Sequence, residues 1–229
     1  MGIVIAIDGP AGAGKSTVSK LLAKRLSFSY LDTGAMYRAV TYLVIKNGID
    51  INNHQEIDEL VSNTDILFVP PADDGISHII VNNEDVTDKI RTSNIDKNVS
   101  RVARIKSVRD AMVKIQRKIA QNGNIIMDGR DIGSKVLPDA DIKFFITASL
   151  EERSRRRYLD LEKRERDIDI EEVKRKIADR DKLDTEREIS PLVRTSDSIL
   201  IDTTNISIED TVNMMIDIVK GECNVKKSL

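Results

Sequence analysis

Short apolar runs alternate with amphipathic stretches along this chain of 229 residues. Four of the runs predict core strands, at residues 2–8, 124–128, 142–146 and 198–202. Each run is apolar almost throughout, which is typical of parallel strands that are covered on both faces. A fifth, shorter strand is predicted near residues 28–31. The pattern therefore predicts an α/β fold with a parallel sheet at its core.

Between these strands, apolar residues recur at the spacing of amphipathic helices. One helix is predicted to begin after residue 14, and another is predicted to end at Lys46. Three more are predicted at residues 55–62, 95–122 and 207–220. The helical stretch 95–122 is expected to end at Gly123, and Ser207 with Asp210 has the spacing of a capping box. The polar tail from Glu222 onward is expected to fray.

Residues 65–81 have a different character from the rest of the chain. Two apolar segments, 65–70 and 76–81, predict strands, and the Pro- and Asp-rich residues 71–75 between them predict a turn. Two strands this close in sequence indicate an antiparallel insert rather than part of a βαβ sheet. Residues 82–94 are polar and are predicted to be irregular.

A phosphate-binding pattern, G-x-x-x-x-G-K-[ST], lies between the first predicted strand and the first predicted helix. We call residues 9–17 the phosphate loop; they are Gly9, Pro10, Ala11, Gly12, Ala13, Gly14, Lys15, Ser16 and Thr17. Glycines let the backbone turn so that several N–H groups converge on a phosphate. Lys15 is expected to reach the β- and γ-phosphates, and the Ser16 hydroxyl to ligate Mg²⁺. The loop therefore predicts a nucleoside triphosphate site.

The stretch 151–188 is unusually rich in charged residues, since it holds 13 Lys and Arg and 14 Asp and Glu. So ionic a stretch can bury little apolar surface, and we expect it to be helical and loosely attached. One interpretation is a solvated helical hairpin with i,i+4 ion pairs. The other is a mobile lid whose arginines close on phosphates, with candidates at Arg153, Arg155, Arg156 and Arg157.

Composition narrows the functional classes. The net charge of −2 and an aromatic content of 3% argue against a general nucleic-acid binder. Cys223 is the single cysteine, which excludes an intrachain disulfide, and with only two histidines it argues against a structural zinc site. There is no basic segment before the first apolar run and no run of about 20 apolar residues. We expect a cytoplasmic protein with no membrane partner.

Arginines indicate what the second substrate carries. The segments N-K-x-D and D-x-x-G of guanine-nucleotide switches are absent, and the strand ending at Asp128 continues into Gly129-Arg130-Asp131 instead of a second carboxylate that would activate water. Planar guanidinium groups hold phosphate oxygens in bidentate fashion. Arg130 follows the carboxyl end of a core strand, where α/β sheets bind ligands. With Arg38 and Arg109 it predicts a phosphoryl acceptor that itself carries a phosphate.

Three longer segments resemble the bacterial cytidylate kinases of the P-loop nucleoside monophosphate kinase family. They are Asp32-Thr33-Gly34-Ala35-Met36-Tyr37-Arg38, Asp128-Gly129-Arg130-Asp131-Ile132-Gly133 and Arg180-Asp181-x-x-Asp184-x-x-Arg187. The opening Ile7-Asp8-Gly9 of the phosphate loop and the segment from Glu84 to Thr92 also fit that family. The resemblance runs from residue 3 to about residue 215.

The resemblance implies transfer of the γ-phosphoryl group of ATP to CMP or dCMP, with Mg²⁺, in pyrimidine nucleotide metabolism. It implies catalytic roles for Lys15, Arg38, Arg130 and Arg180. It implies acceptor contacts from Thr33, Arg38, Ser100, Arg109, Arg130, Asp131, Asp184 and Arg187. Within that set, Ser100, Arg109 and Asp131 would read the cytosine, and Asp184 would bind the ribose. ATP would be contacted by the phosphate loop and by Arg153, Arg156 and Arg157. The metal would be held by Ser16 and by Asp128, directly or through water.

The expected architecture is a P-loop three-layer α/β fold in one kinase domain and one monomer. Its parts are a core (about 1–34, 100–150 and 189–221), a monophosphate-binding insert (about 35–99) and a helical lid (about 151–188). Two alternatives stay open from the residues themselves. A P-loop kinase for UMP, shikimate or pantothenate would share the core, and a regulator could bind ATP without turnover.

Overall fold

The computed structural model describes residues 2–69, 78–121, 123–162 and 168–227. The chain divides into two compact units. The first unit comprises Met1–Phe28 and Asn124–Leu229, and the second comprises Ser29–Gly123. The finer division into core, insert and lid stays a prediction.

Strands and helices alternate along most of the chain. The strands are β1 (Val4–Asp8), β2 (Ser29–Asp32), β3 (Ile66–Val69), β4 (His78–Val81), β5 (Glu84–Asp85), β6 (Ile125–Asp128), β7 (Ile142–Thr147) and β8 (Ile199–Asp202). The helices are α1 (Lys15–Leu26), α2 (Thr33–Lys46), α3 (His54–Ser62), α4 (Ser93–Val102), α5 (Lys106–Ala120), α6 (Leu150–Glu162), α7 (Ile170–Thr185) and α8 (Ile208–Lys227). A π-helical turn, Ile132–Val136, follows β6.

In the first unit the strands of a parallel sheet lie in the order β6-β1-β7-β8, which confirms the predicted α/β class. β1 pairs in parallel with β6 and with β7, and β7 pairs in parallel with β8. Ile5 and Ile7 of β1, and Ile126 of β6, are fully buried, as the apolar runs predicted. The four predicted core strands and the fifth strand near residues 28–31 are therefore all present.

In the first unit, helices α1 and α8 contribute the next layer of apolar side chains. Leu22 of α1 and Val212 and Met215 of α8 are completely buried. The predicted cap of α8 is confirmed, because the Ser207 hydroxyl accepts the Asp210 N–H at 3.0 Å. The predicted end of this helix near Lys220 is wrong, because α8 continues to Lys227. A single glycine at 221 costs only about 1 kcal/mol in a helix, which is too little to end it.

The second unit carries an antiparallel sheet of order β3-β4-β5. The pairing of β3 with β4 confirms the predicted insert, while the predicted turn at 71–75 lies outside the described residues. β5 corrects the prediction of irregular structure at 82–94. It forms because Asn82 and Asn83 adopt positive φ angles of 47° and 65°, which return the chain onto β4.

The helical stretch predicted at 95–122 is two helices, α4 and α5, which corrects that prediction. Ile105 between them has extended backbone angles, φ −70° and ψ 125°. Its side chain is buried, and the buried Arg109 of α5 donates from Nη1 to the Ala103 carbonyl at 3.1 Å. This contact satisfies a carbonyl at the end of α4 that would otherwise lack a partner. Tertiary burial, rather than a proline or glycine, breaks the helix here.

Candidate active site

The phosphate loop has the backbone that its glycines predict. Gly9, Gly12 and Gly14 have φ angles of 147°, 77° and 84°, a region that other residues rarely adopt. At Gly9 the constraint is also steric, since a Cβ there would lie 1.9 Å from the Ile146 carbonyl oxygen. The loop can therefore follow β1 and turn into α1 only with glycine at this position.

Lys15 lies inside the loop that it belongs to. Its side chain is buried, and its ammonium group donates to the Pro10 carbonyl at 2.7 Å. Burial lowers the pKa of Lys15 well below its ordinary value, and the positive charges of Arg130 and Arg180 lower it further. The site therefore favours an anion that would compensate these clustered cations.

Two oxygen groups suited to a magnesium ion lie at the start of α1 and the end of β6. The Ser16 hydroxyl donates to a carboxylate oxygen of the buried Asp128 at 2.8 Å. Within the described ranges no cluster of three or more His, Cys, Asp or Glu could hold a metal. Mg²⁺ bound with nucleotide phosphates needs only one or two protein oxygens. The donor set of Ser16 and Asp128 fits that mode of binding.

Residues 129–133, which we call the acceptor turn, carry two of the predicted substrate residues. Arg130 donates from Nε to Asp184 at 2.8 Å, and Asp131 accepts from the buried Arg187 at 3.3 Å. Burial alone would raise the pKa of Asp184, but Arg130 and neighbouring arginines more than offset it and lower the pKa. Four of the predicted acceptor residues are thus brought together in the first unit.

The charged helices α6 and α7 are attached to the phosphate loop, which corrects the expectation of loose attachment. Arg153 of α6 is buried and donates to the Ala11 and Ala148 carbonyls, each at 2.9 Å, and to the Asp181 carboxylate. Asp181 of α7 in turn accepts the Ala11 N–H at 3.0 Å. Both peptide groups of Ala11 are held by this ion pair. Charge-assisted hydrogen bonds of this kind can attach a helix that buries few apolar side chains.

Arg156, a turn further along α6, contacts another part of the first unit. It donates to the hydroxyl and carbonyl oxygens of Thr203, just after β8, at 3.1 and 2.6 Å. Its guanidinium also approaches the loop, since a Cβ on Gly14 would lie 3.7 Å from Nη1. Arg157 is half-buried on the same helix, and Arg180 is half-buried on α7. Their predicted roles stay predictions.

The second unit positions the remaining acceptor candidates. Arg38 of α2 pairs with Asp96 of α4 at 2.5 Å, and the Arg109 guanidinium lies 5.3 Å from the centre of the Tyr37 ring. Thr33, the first residue of α2, and Ser100 of α4 are buried as well. That these residues join the acceptor turn in one site stays a prediction.

The predicted site residues did not include Asp8, Asp181 and Thr203, although Asp8 accepts the Ile132 and Gly133 N–H groups at 2.8 and 2.7 Å. Each had a signal in the sequence. Asp8 directly precedes the phosphate loop, Asp181 is part of the quoted arginine motif, and Thr203 follows the carboxyl end of a core strand, where ligands bind.

A separate cavity of about 410 Å³ shares no residue with the loop; it is lined by Ser134, Lys135, Glu188, Ile189, Ser190, Pro191 and Val193.

Comparisons with known proteins identify the relatives of this chain. A family model described as cytidylate kinase matches residues 5–221. The cytidylate kinase of Alkaliphilus oremlandii (strain OhILAs) is 49% identical over 219 residues, covering 96% of this chain and 98% of that protein. The cytidylate kinase of Bacillus cereus (strain ATCC 10987 / NRS 248) is 47% identical over 219 residues, 96% of each chain.

Among solved structures, a shikimate kinase from Acinetobacter baumannii in complex with shikimate is similar, with a TM-score of 0.50 and 17% identity. The similarity covers 96% of this chain and 94% of that chain, and at this identity it shows the fold alone. Among the helices that the structure describes, none is both long and apolar enough to cross a membrane.

Proposed function

The chain belongs to the cytidylate kinase family, and we propose that its two sets of polar residues bind the two nucleotides of the reaction. The reaction transfers the γ-phosphoryl group of ATP to CMP or dCMP, giving ADP and the nucleoside diphosphate, so the chain is a phosphotransferase. One observation carries this assignment: the family match spans residues 5–221, and so includes both the phosphate loop and the acceptor turn.

The donor side would act by positioning and charge neutralisation, because phosphoryl transfer needs little covalent chemistry from the protein. The amides of residues 9–17 would bind the ATP phosphates. Lys15 would exchange its hydrogen bond with Pro10 for one to the phosphates. The lowered pKa of the buried Lys15 supports this proposal, since a phosphate would compensate the surrounding cations.

Mg²⁺ would neutralise charge on the transferred group. Ser16 and Asp128 would hold it, Asp128 directly or through water. The hydrogen bond between these two side chains supports the assignment, because it places the two oxygens 2.8 Å apart, where one ion could contact both. Calorimetric titration of ATP with and without Mg²⁺ tests it: Asp128→Asn should reduce the gain in ATP affinity that Mg²⁺ gives, while leaving affinity without the metal unchanged.

On the acceptor side, Arg38 and Arg130 would clamp the CMP phosphate, with Thr33 as a hydroxyl partner and Arg180 nearby. Ser100, Arg109 and Asp131 would read the cytosine, whose N4 donates while O2 and N3 accept. Asp184 and Arg187 would bind the ribose and the nucleotide. No general base is needed, because the attacking phosphate oxygen is already anionic.

The arginines of α6 would divide their roles. Arg156, close to Gly14, would contact ATP together with Arg157. Arg153 is already engaged with Ala11 and Asp181, so it would hold the loop in shape for ATP. Closure of this helical region would exclude water and so suppress ATP hydrolysis.

The test is an assay that couples ADP release to a spectroscopic signal, with Mg-ATP and, separately, CMP, dCMP, UMP, AMP or no acceptor. We expect release with CMP and dCMP only. Release without acceptor would indicate an ATPase, and none with any nucleotide would favour a regulator or a different acceptor. Lys15→Ala should abolish release, whereas the exposed Lys20→Ala on the same helix should not change it.

The acceptor assignment has its own test. Arg130→Ala should reduce kcat/KM for CMP by about 100-fold or more, with ATP affinity retained. Asp131→Asn should lower the preference for CMP over UMP by about tenfold or more. An unchanged preference would remove Asp131 from cytosine reading. We also propose a cytoplasmic monomer, which light scattering and cell fractionation would test.

A further inference from the structure

Asp8 is a buried carboxylate that the proposed reaction does not use. It is the last residue of β1, is 6% exposed, and directly precedes Gly9 of the phosphate loop. Its two carboxylate oxygens accept the backbone N–H groups of Ile132 and Gly133 at 2.8 and 2.7 Å. A buried carboxylate is costly unless it is satisfied in this way.

These contacts hold one end of the acceptor turn. The other end is held by the neighbouring residue of β1, because the Ile7 carbonyl accepts the Gly129 N–H at 2.9 Å. Arg130 and Asp131 lie between the two points of attachment. The last two residues of β1 therefore fix both ends of the segment that carries these side chains.

The fit between Asp8 and the turn is tight. A Cβ on Gly133 would lie 3.4 Å from a carboxylate oxygen of Asp8 and 3.1 Å from Cδ of Lys143. Lys143 is itself held, since its ammonium group donates to Asp197 at 2.6 Å. The turn thus lies close against the Asp8 carboxylate, and a side chain at position 133 would need the Lys143 side chain or the turn to move by a few tenths of an ångström.

We propose that Asp8 is a positioning residue that sets the acceptor turn in register with the phosphate loop, an inference that rests on the proposed function. Asp8 holds the acceptor turn, and the next residue, Gly9, begins the phosphate loop. The turn and the loop are therefore connected through two consecutive residues. In-line transfer depends on placing the two phosphates to within a fraction of an ångström. Loosening this contact should impair transfer and acceptor binding while leaving the loop able to bind ATP.

Asp8→Asn tests this inference. The amide keeps one acceptor oxygen, but its NH₂ group faces the second backbone N–H and cannot accept it, so one of the two hydrogen bonds is lost. Asp141→Asn is the matched control: Asp141 accepts the Val4 N–H at 2.8 Å, at the opposite end of β1. The measurements are kcat and both KM values, ATP affinity by calorimetry without acceptor, and the melting temperature.

For Asp8→Asn we expect kcat to fall about 10- to 100-fold and KM for CMP to rise, with ATP affinity within about twofold of the wild type. Asp141→Asn should keep wild-type kinetics. Gly133→Ala displaces the same turn and should reproduce the Asp8→Asn pattern, which keeps the test valid if Asp8→Asn does not fold. Wild-type kcat in Asp8→Asn, or equal losses of ATP and CMP affinity, would overturn the inference. Failure of the wild type to phosphorylate CMP would instead overturn the proposed function.

Discussion

The phosphate loop and the helix pair α6–α7 belong to the same unit but are held in place by different physics. The loop is determined locally: three glycines with positive φ angles allow the turn, and a steric wall at Ile146 excludes side chains from Gly9. The helix pair is held by long-range polar contacts, chiefly Arg153 and Asp181 on Ala11.

This difference shows how a stretch with few apolar residues can still be part of a site. Only a few side chains of α6 and α7 are buried, and they include the charged Arg153 and Asp184. Each of these charges has a half-buried partner of opposite sign. The loop should therefore be sensitive to backbone changes and the helix pair to loss of a charge.

The largest effect is expected at Gly9. Gly9→Ala would place a methyl group 1.9 Å from the Ile146 carbonyl oxygen, and backbone strain together with overpacking should destabilise the fold by about 4 kcal/mol. Urea denaturation measures the loss. Gly48→Ala is the control, because Gly48 also has a positive φ, 66°, but nothing lies within 4 Å of its Cβ position. It should cost only about 1 kcal/mol. Equal losses of stability in the two variants would mean that the close approach of the Ile146 carbonyl oxygen to Gly9 contributes nothing.

A smaller effect is expected for the ion pair. Arg153→Met leaves the Asp181 carboxylate without its guanidinium and should cost about 3 kcal/mol of stability, with a weaker ATP affinity. Arg155→Met on the same helix is the control: that side chain is 58% exposed and pairs only with Glu152 among the contacts described. Surface pairs contribute less than about 1 kcal/mol.

A double-mutant cycle of Arg153→Met with Asp181→Asn separates this pair from general damage to the helix. We expect a coupling energy of about 1–3 kcal/mol in unfolding experiments. Additive single effects would contradict the view that the pair attaches the helices to the loop.

An effect that depends on pH is expected from Asp8. Burial raises the pKa of Asp8 from 3.8 to about 6, so the folded protein binds this proton more tightly than the unfolded chain does. Its contribution to the free energy of unfolding is therefore largest below about pH 4 and decreases as the pH rises to about 6, by about 3 kcal/mol in total. Urea denaturation of wild type and Asp8→Asn from pH 4 to pH 7.5 should show this difference. Parallel pH profiles would contradict it.

Several elements could be predicted because their causes are local. The buried strands show continuous apolar runs, and the loop shows its glycines, lysine and serine in consecutive positions. The break at Ile105 could not be predicted, because no proline or glycine marks it and the burial of the Ile105 side chain depends on tertiary packing. The roles of Asp8 and Asp181 were also missed, because a carboxylate looks the same in sequence whether it is solvated or bound to backbone N–H groups.

The α/β class, the phosphate loop and the resemblance to the cytidylate kinases could all be predicted from the amino-acid sequence, since each depends on short segments of contiguous residues. Which charges are buried and what they hold became visible only in the folded chain: Asp8 holds the acceptor turn, and Arg153 with Asp181 holds Ala11. The physical reason is that burial and pairing belong to residues that lie far apart in sequence, and they change the energy of a charge by several kcal/mol.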